Sequence, residues 1–170
     1  MKNIFLFLAL SSTILFTSCE GDPGPPGKDG VSFLGQVFET TVSFSSSNNF
    51  ESLVSFPLNI EVFESDAVLV YHLVETIPGN GGPIDVWEPL PQTYFVNQGT
   101  LVYNFDHTFL DIRLFLDGNF DLNTLPTNFT ANQTFRIAVV PAEFARTNPT
   151  MEQILQMKQV NGSNVEVIEL

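Results

Sequence analysis

Phe38, Thr40, Val42 and Phe44 alternate with polar neighbours, and this period of two predicts a strand with one buried face. Ser45 to Asn49 (SSSNN) reads as a turn. Phe50, Ser52, Val54 and Phe56 alternate again until Pro57 interrupts. Leu58, Ile60 and Val62 predict a continued strand up to a turn at Glu64-Ser65-Asp66. Ala67 to Glu75 (AVLVYHLVE) is almost continuously apolar, as a central strand covered on both faces would be. Thr76 to Gln92 is rich in Gly and Pro and predicts irregular chain. Thr93 to Val96 and Thr100 to Phe105 predict a hairpin around Asn97-Gln98-Gly99. Leu110, Ile112, Leu114 and Leu116 alternate with Asp111 and Arg113 before a turn at Asp117-Gly118. Thr134 to Val140 places Phe135, Ile137 and Val139 on one face, and Pro141 ends it.

One helix is predicted near the C-terminus. Asn148 is the expected cap, Pro149 the first helical residue, and Met151, Ile154 and Leu155 the apolar stripe against a sheet edge. Val165, Val167 and Glu169 predict a terminal strand. Eight or so short strands separated by turns give the expected class: mainly β, an antiparallel two-sheet sandwich with one short C-terminal helix. The sandwich is expected over residues 32–170. Phe, with 17 copies among 170 residues, suits sheet better than helix.

The first residues change the picture. MKNIFLFLALSSTILFTSC has a positive start at Lys2 and an apolar run from Ile4 to Phe16, too short to span a bilayer. It predicts a signal peptide over residues 1–18. Leu15-Phe16-Thr17-Ser18-Cys19 resembles a bacterial lipobox, with Phe16 where Leu is commoner. Cys19 is the only cysteine, so no internal disulfide can form, and lipidation is its expected use. The chain would then meet the membrane through lipid on Cys19. An ordinary leader followed by an unmodified thiol is the plainer alternative. The formal net charge of −13 argues against nucleic acid and against anionic lipid as direct partners.

Residues 19–31 form the expected linker. Gly21, Gly24, Gly27 and Gly30 keep a strict period of three around Asp22-Pro23, Pro25-Pro26 and Lys28-Asp29. Only Gly fits the axis of a collagen triple helix. Three triplets are too few to wind alone, so a homotrimer would need the globular part to hold the chains together first. The alternative is a polyproline-like spacer, which at about 3.1 Å per residue lifts the domain roughly 30 Å from the lipid.

The leader, Cys19 and the Gly triplets resemble the short collagen-like lipoproteins of Gram-negative envelopes. IEVFESDAVLVYHLVE and LVYNFDHTFLDIRLFLDGNF are similar to the C-terminal β domain of members of that group. The resemblance implies a lipid-anchored protein of the outer membrane, on its periplasmic or its surface face, and it implies no activity. Glu20 does not match the usual inner-membrane retention signal, and Glu20 and Asp22 are compatible with export to the cell surface. An envelope protein or a glycan is the expected partner class.

Candidate chemistry is sparse. His72 lies inside the apolar strand and reads as a core residue; His107 lies beside Asp106 and Thr108 near a turn, with no nucleophile motif. No HExxH or paired Cys/His spacing exists for zinc. Glu61, Glu64 and Asp66, or Asp85 and Glu88, could pair as glycosidase carboxylates, but solvated turns explain them as well. GNGGPI (Gly79 to Ile84) misses the dinucleotide fingerprint, because Pro83 and Trp87-Glu88-Pro89 follow where a helix is needed. DGNFDLN puts Asp117, Asn119, Asp121 and Asn123 at alternate positions, like the start of an EF-hand loop, which makes calcium the one cofactor to consider. It departs from that loop at Leu122 and Asn128, and Asn and Asp also populate ordinary turns. Trp87, the sole tryptophan, lies in DVWEPLPQTYF, where it could serve a glycan or a protein, or anchor the loop. The expectation is a structural or interaction module without catalytic activity, with calcium or glycan binding as the alternative.

Overall fold

A computed structural model describes residues 35–159 and 166–169. Cys19, Gly21, Gly24, Gly27 and Gly30, with the expected leader and linker, lie outside the described residues. The alternating stretches become strands in two packed sheets: a β-sandwich. The first sheet runs in the order β4 (Gly82–Pro89), β3 (Asp66–Gly79), β8 (Gln133–Pro141), β1 (Gln36–Val42) and β9 (Glu166–Glu169). All its neighbours are antiparallel except β9, which lies parallel to β1. The second sheet is antiparallel throughout, in the order β2 (Glu51–Ser55), β7 (Asp111–Gly118), β6 (Gly99–His107) and β5 (Gln92–Val96).

The core between the sheets follows the sequence pattern. Phe38, Val42 and Phe44 from the β1 segment meet Val54, Ile112 and Leu114 from the opposite sheet, with Phe135 and Ile137 of β8 beside them. β3 is central, and both of its faces are covered at Val70 and Tyr71. A second apolar cluster lies on the outer face of the first sheet, where Val37, Tyr71, Ala138 and Val140 pack under a helical segment. That segment holds α1 (Ala142–Ala145), a single turn, and α2 (Met151–Gln159), whose Ile154 is fully buried.

Five expectations are corrected. Leu58, Ile60 and Val62 do not continue a strand. Pro57 has no N–H for a ladder, the Ile60 N–H turns back to the Pro57 carbonyl at 2.9 Å, and Leu58 is wholly exposed. Leu110 alternates correctly but precedes β7 and is exposed.

Thr76 to Gln92 is not irregular: it completes β3, all of β4 and the first residue of β5. Asn80-Gly81 is a two-residue hairpin turn between Gly79 and Gly82. Gly82 sits at φ +128°, and a Cβ on Gly79 would come within 2.7 Å of the Gly82 carbonyl, so both ends of the turn require glycine. Pro83 and Pro89 are accommodated because β4 is an edge strand.

The helix cap is Thr150, not Asn148. The Thr150 hydroxyl accepts from the Gln153 N–H at 3.2 Å, and the Gln153 side chain accepts from the Thr150 N–H at 2.8 Å, a reciprocal box. Asn148, at φ 52°, instead terminates the preceding turn by donating to Ala145. The apolar stripe of α2 packs on the sheet face and not on its edge.

Candidate functional site

The end of the sandwich built by the start of β8 and the β7–β8 connection holds a cleft of about 280 Å³. His72 forms its floor. The residue is on the inward face of β3, in line with Val68 and Val70, and it pairs with Phe135 across the ladder. Two aromatics pack against its ring: the Tyr103 centroid lies at 4.6 Å and the Phe135 centroid at 4.9 Å, with 6.4 Å between those two rings. His72 is therefore a buried core residue, as its place in an apolar strand implies, and it is also the centre of a polar network.

That network has a fixed direction. His72 Nδ1 lies 3.1 Å from Gln92 Oε1, and Nε2 lies 3.0 Å from Gln133 Oε1. Gln133 gives its amide hydrogens to the Asn128 and Ala131 carbonyls, at 3.1 and 2.7 Å, so its oxygen must face the ring. Gln92 donates to the Glu88 carboxylate, which orients its oxygen the same way. A neutral imidazole carries one N–H and can donate to only one of the two oxygens at a time. Tyr103 completes the network by donating to the Phe129 carbonyl at 2.6 Å.

Such an arrangement positions and rigidifies more readily than it reacts. The ring nitrogens are engaged by amides, and no serine, cysteine or carboxylate lines the cleft. What it offers a ligand is the rim: Tyr94, Asn128 and Asn132, with the Phe129 ring edge-on to Tyr94 at 5.9 Å.

No family model, curated protein or solved structure matches the chain.

The tyrosines carry the electrostatic signature of this end. Burial, joined by the neighbouring Tyr94, holds the Tyr103 phenol far above its usual range. Burial raises Tyr94 as well, helped by the Glu88 charge and opposed by a hydrogen bond from Gln92. Burial alone raises Tyr71. These are all three tyrosines of the chain. In the folded state each keeps its proton above the pH, near 10, at which an unfolded tyrosine releases it. Their contribution is complete below pH 10 and is lost as pH rises toward the folded-state values. Ultraviolet titration should show less phenolate near pH 10 than three free tyrosines would give, with the Tyr103 signal rising only together with loss of near-ultraviolet circular dichroism. The full phenolate signal of all three tyrosines near pH 10 in a chain with native dichroism would contradict this.

The other sequence candidates are scattered. Trp87 belongs to strand β4, not to a loop, and the Arg136 guanidinium stacks on its ring at 4.0 Å. Arg136 also donates to Glu39 at 2.6 Å, so one face of the indole is covered by an engaged cation. His107 is exposed and contacts the Thr108 carbonyl; Asp106 beside it is bound to Arg113, whose hydrogen bond holds that carboxyl below its ordinary value.

Asp117, Asn119, Asp121 and Asn123 lie at the end of β7 and in the turn after it, and each is used locally. Asp117 accepts from the Gly118 N–H at 2.8 Å. Asn119 accepts from the Thr100 N–H at 2.8 Å and pins the β5–β6 turn. Asp121 caps a short 3₁₀ turn by accepting from the Asn123 N–H and side-chain amide, which holds its carboxyl below the usual range. Among the described residues, no three His, Cys, Asp or Glu side chains come together as metal ligands would. Glu61, Glu64 and Asp66 border a loop, Thr76 donates to Asp85 at 2.8 Å, and Glu88 serves Gln92.

The His72 network was missed because its parts are far apart in sequence. Gln92 and Gln133 stand 20 and 61 positions from His72. A histidine at an inward position of an otherwise apolar strand was the only available signal, since such a ring must find partners.

Proposed function

We propose that this chain is a lipid-anchored cell-envelope protein that displays its β-sandwich as a structural or interaction module, without catalytic turnover. The observation that carries the reading is Cys19, the only cysteine, placed directly after an apolar run that ends in Thr17-Ser18 and before the Gly-X-Y triplets. Several acyl chains on one residue anchor firmly where a single chain is marginal. The acidic chain suits an aqueous extracytoplasmic space, and Glu20, which does not match the usual inner-membrane retention signal, favours a Gram-negative outer membrane. The sandwich supports the second half of the reading. Its His72 network is inward-turned and mutually engaged, which suits a rigid display scaffold with a binding rim. No helix among the described residues is long and apolar enough to cross a membrane, so membrane attachment in this reading falls to Cys19.

The test is metabolic labelling with an alkyne fatty acid, followed by detergent phase partition of the full-length protein. The natural chain should take up label and enter the detergent phase. Cys19→Ser should lose at least nine tenths of both while keeping the native dichroism of the sandwich. Equal labelling of the two proteins, or a natural chain that stays in the aqueous phase, would refute the anchor.

A further inference from the structure

The end of the sandwich opposite the His72 cleft exposes several large apolar side chains, and β1 begins there. Gln36 opens β1 opposite Val139, Asp66 opens β3 opposite Pro141, and Ser55 closes β2 opposite Asp111. All three pairs mark this same end, where the 56–65 loop meets the β6–β7 turn. The Phe56 N–H donates to the Leu110 carbonyl at 3.2 Å, and Phe63 and Phe109 share a groove of about 190 Å³. Of the eight large apolar side chains exposed among the described residues, four are here: Leu58, Phe63, Phe109 and Leu110, each more than half exposed. Ile77, Ile84 and Phe95 lie toward the far end and Leu53 on a strand face, each apart from this cluster.

We propose that this end seats on the lipid surface to which Cys19 ties the chain. The inference rests on the anchoring reading above and goes beyond it, because an anchor alone leaves the domain's orientation open. The tether selects the occupant. Residues 20–34 reach at most roughly 50 Å when fully extended, and they join the domain at this end. Lipid is therefore the one large apolar phase held permanently within reach of these side chains. Aromatic and leucine side chains on loop tips are the kind that enter the headgroup boundary, and large apolar side chains gathered at one exposed end mark an interaction surface.

Charge narrows the lipid. Residues 55–66 and 106–111 carry Glu61, Glu64, Asp66 and Asp111, with Asp106 paired to Arg113, and no Lys or Arg of their own. Seating therefore needs a zwitterionic surface and is opposed by an anionic one. The His72 cleft, at the opposite end, would then face away from the membrane toward a soluble partner.

The experiment uses the full lipidated chain on vesicles of dibrominated phosphatidylcholine. Phe109→Trp and, as a control at the far end, Phe95→Trp are each made in a Trp87→Phe background. Bromine should quench the fluorescence at position 109 at least twofold and leave position 95 unchanged. Leu58→Ser with Phe63→Ser should abolish the quenching while the protein still floats with the vesicles. Half anionic lipid should weaken the quenching at low salt, and added salt should restore it. A protein that floats but shows no quenching at 109 overturns the seating and leaves the anchor intact. A chain that does not float overturns both. Burial of position 109 without lipid, rising with protein concentration, would assign this end to a second copy of the chain and would overturn the proposal.

Discussion

His72→Ala should lower the unfolding free energy by about 3–5 kcal/mol, with a fall in Tm on the order of 10 °C. Three losses combine. The ring leaves a gap beside Tyr103 and Phe135, which both stack against it, and each such aromatic pair is worth about 0.5–1.5 kcal/mol beyond its area. The oxygens of Gln92 and Gln133 lose their shared partner, and a buried acceptor left unpaired costs about 1–3 kcal/mol. Gln133 also ties down the Asn128 and Ala131 carbonyls, so the loss spreads into the β7–β8 connection. His107→Ala, at an exposed ring, should stay within about 0.5 kcal/mol.

His72→Phe separates packing from hydrogen bonding, since it restores a ring against the two aromatics and supplies no N–H. It should recover roughly half of the loss. Urea unfolding of the three variants decides the matter. A His72→Phe protein as stable as the natural one would show that the amide network contributes nothing, and equal losses for His72→Ala and His107→Ala would remove the special status of the site.

The same residues show what a sequence can disclose. Alternation at Phe38, Thr40 and Val42, and the unbroken run through Val68 and Val70, mark buried faces, because a period of two leaves no other way to hide them. Leu58, Ile60 and Val62 alternate just as well and form no strand. A ladder needs a partner, and Pro57 removes the donor at its start. The β3–β4 hairpin was concealed by its composition: Pro83 and Pro89 read as loop residues until the edge position of β4 is known. Asn80-Gly81 was the signal that could have outweighed them. The outer face of the first sheet was legible only in part. Val37 and Ala138 fall on what alternation alone assigns to solvent, and only the packing of α2 gives them a cover. The His72 network was the least legible feature, because hydrogen bonds between distant strands leave no local pattern.

That cover is the subject of the second large effect. Ile154→Asp should release α2 from the sheet without dissolving the sandwich. Ile154 is fully buried against Val37, Tyr71, Ala138 and Val140, so a carboxylate there would be desolvated with no cation assigned to it. A helix this short has little stability of its own even with the Thr150 box, and nearly all of its order comes from docking. The loss is therefore capped at the docking free energy: once the helix has left, the buried charge is hydrated and costs nothing more. The core between the sheets contains no residue of α1 or α2, so it should survive. A docking term of about 3 kcal/mol corresponds to roughly a hundredfold change in the open population. Proteolysis within residues 142–159 should accelerate by that factor, and an apolar dye should bind the uncovered sheet face. The near-ultraviolet signal from the rings around His72 should persist. Unchanged cleavage would mean that the helix adds no order to the sheet. Loss of the ring signal together with the helix would mean that the outer cluster and the inner core unfold as one unit.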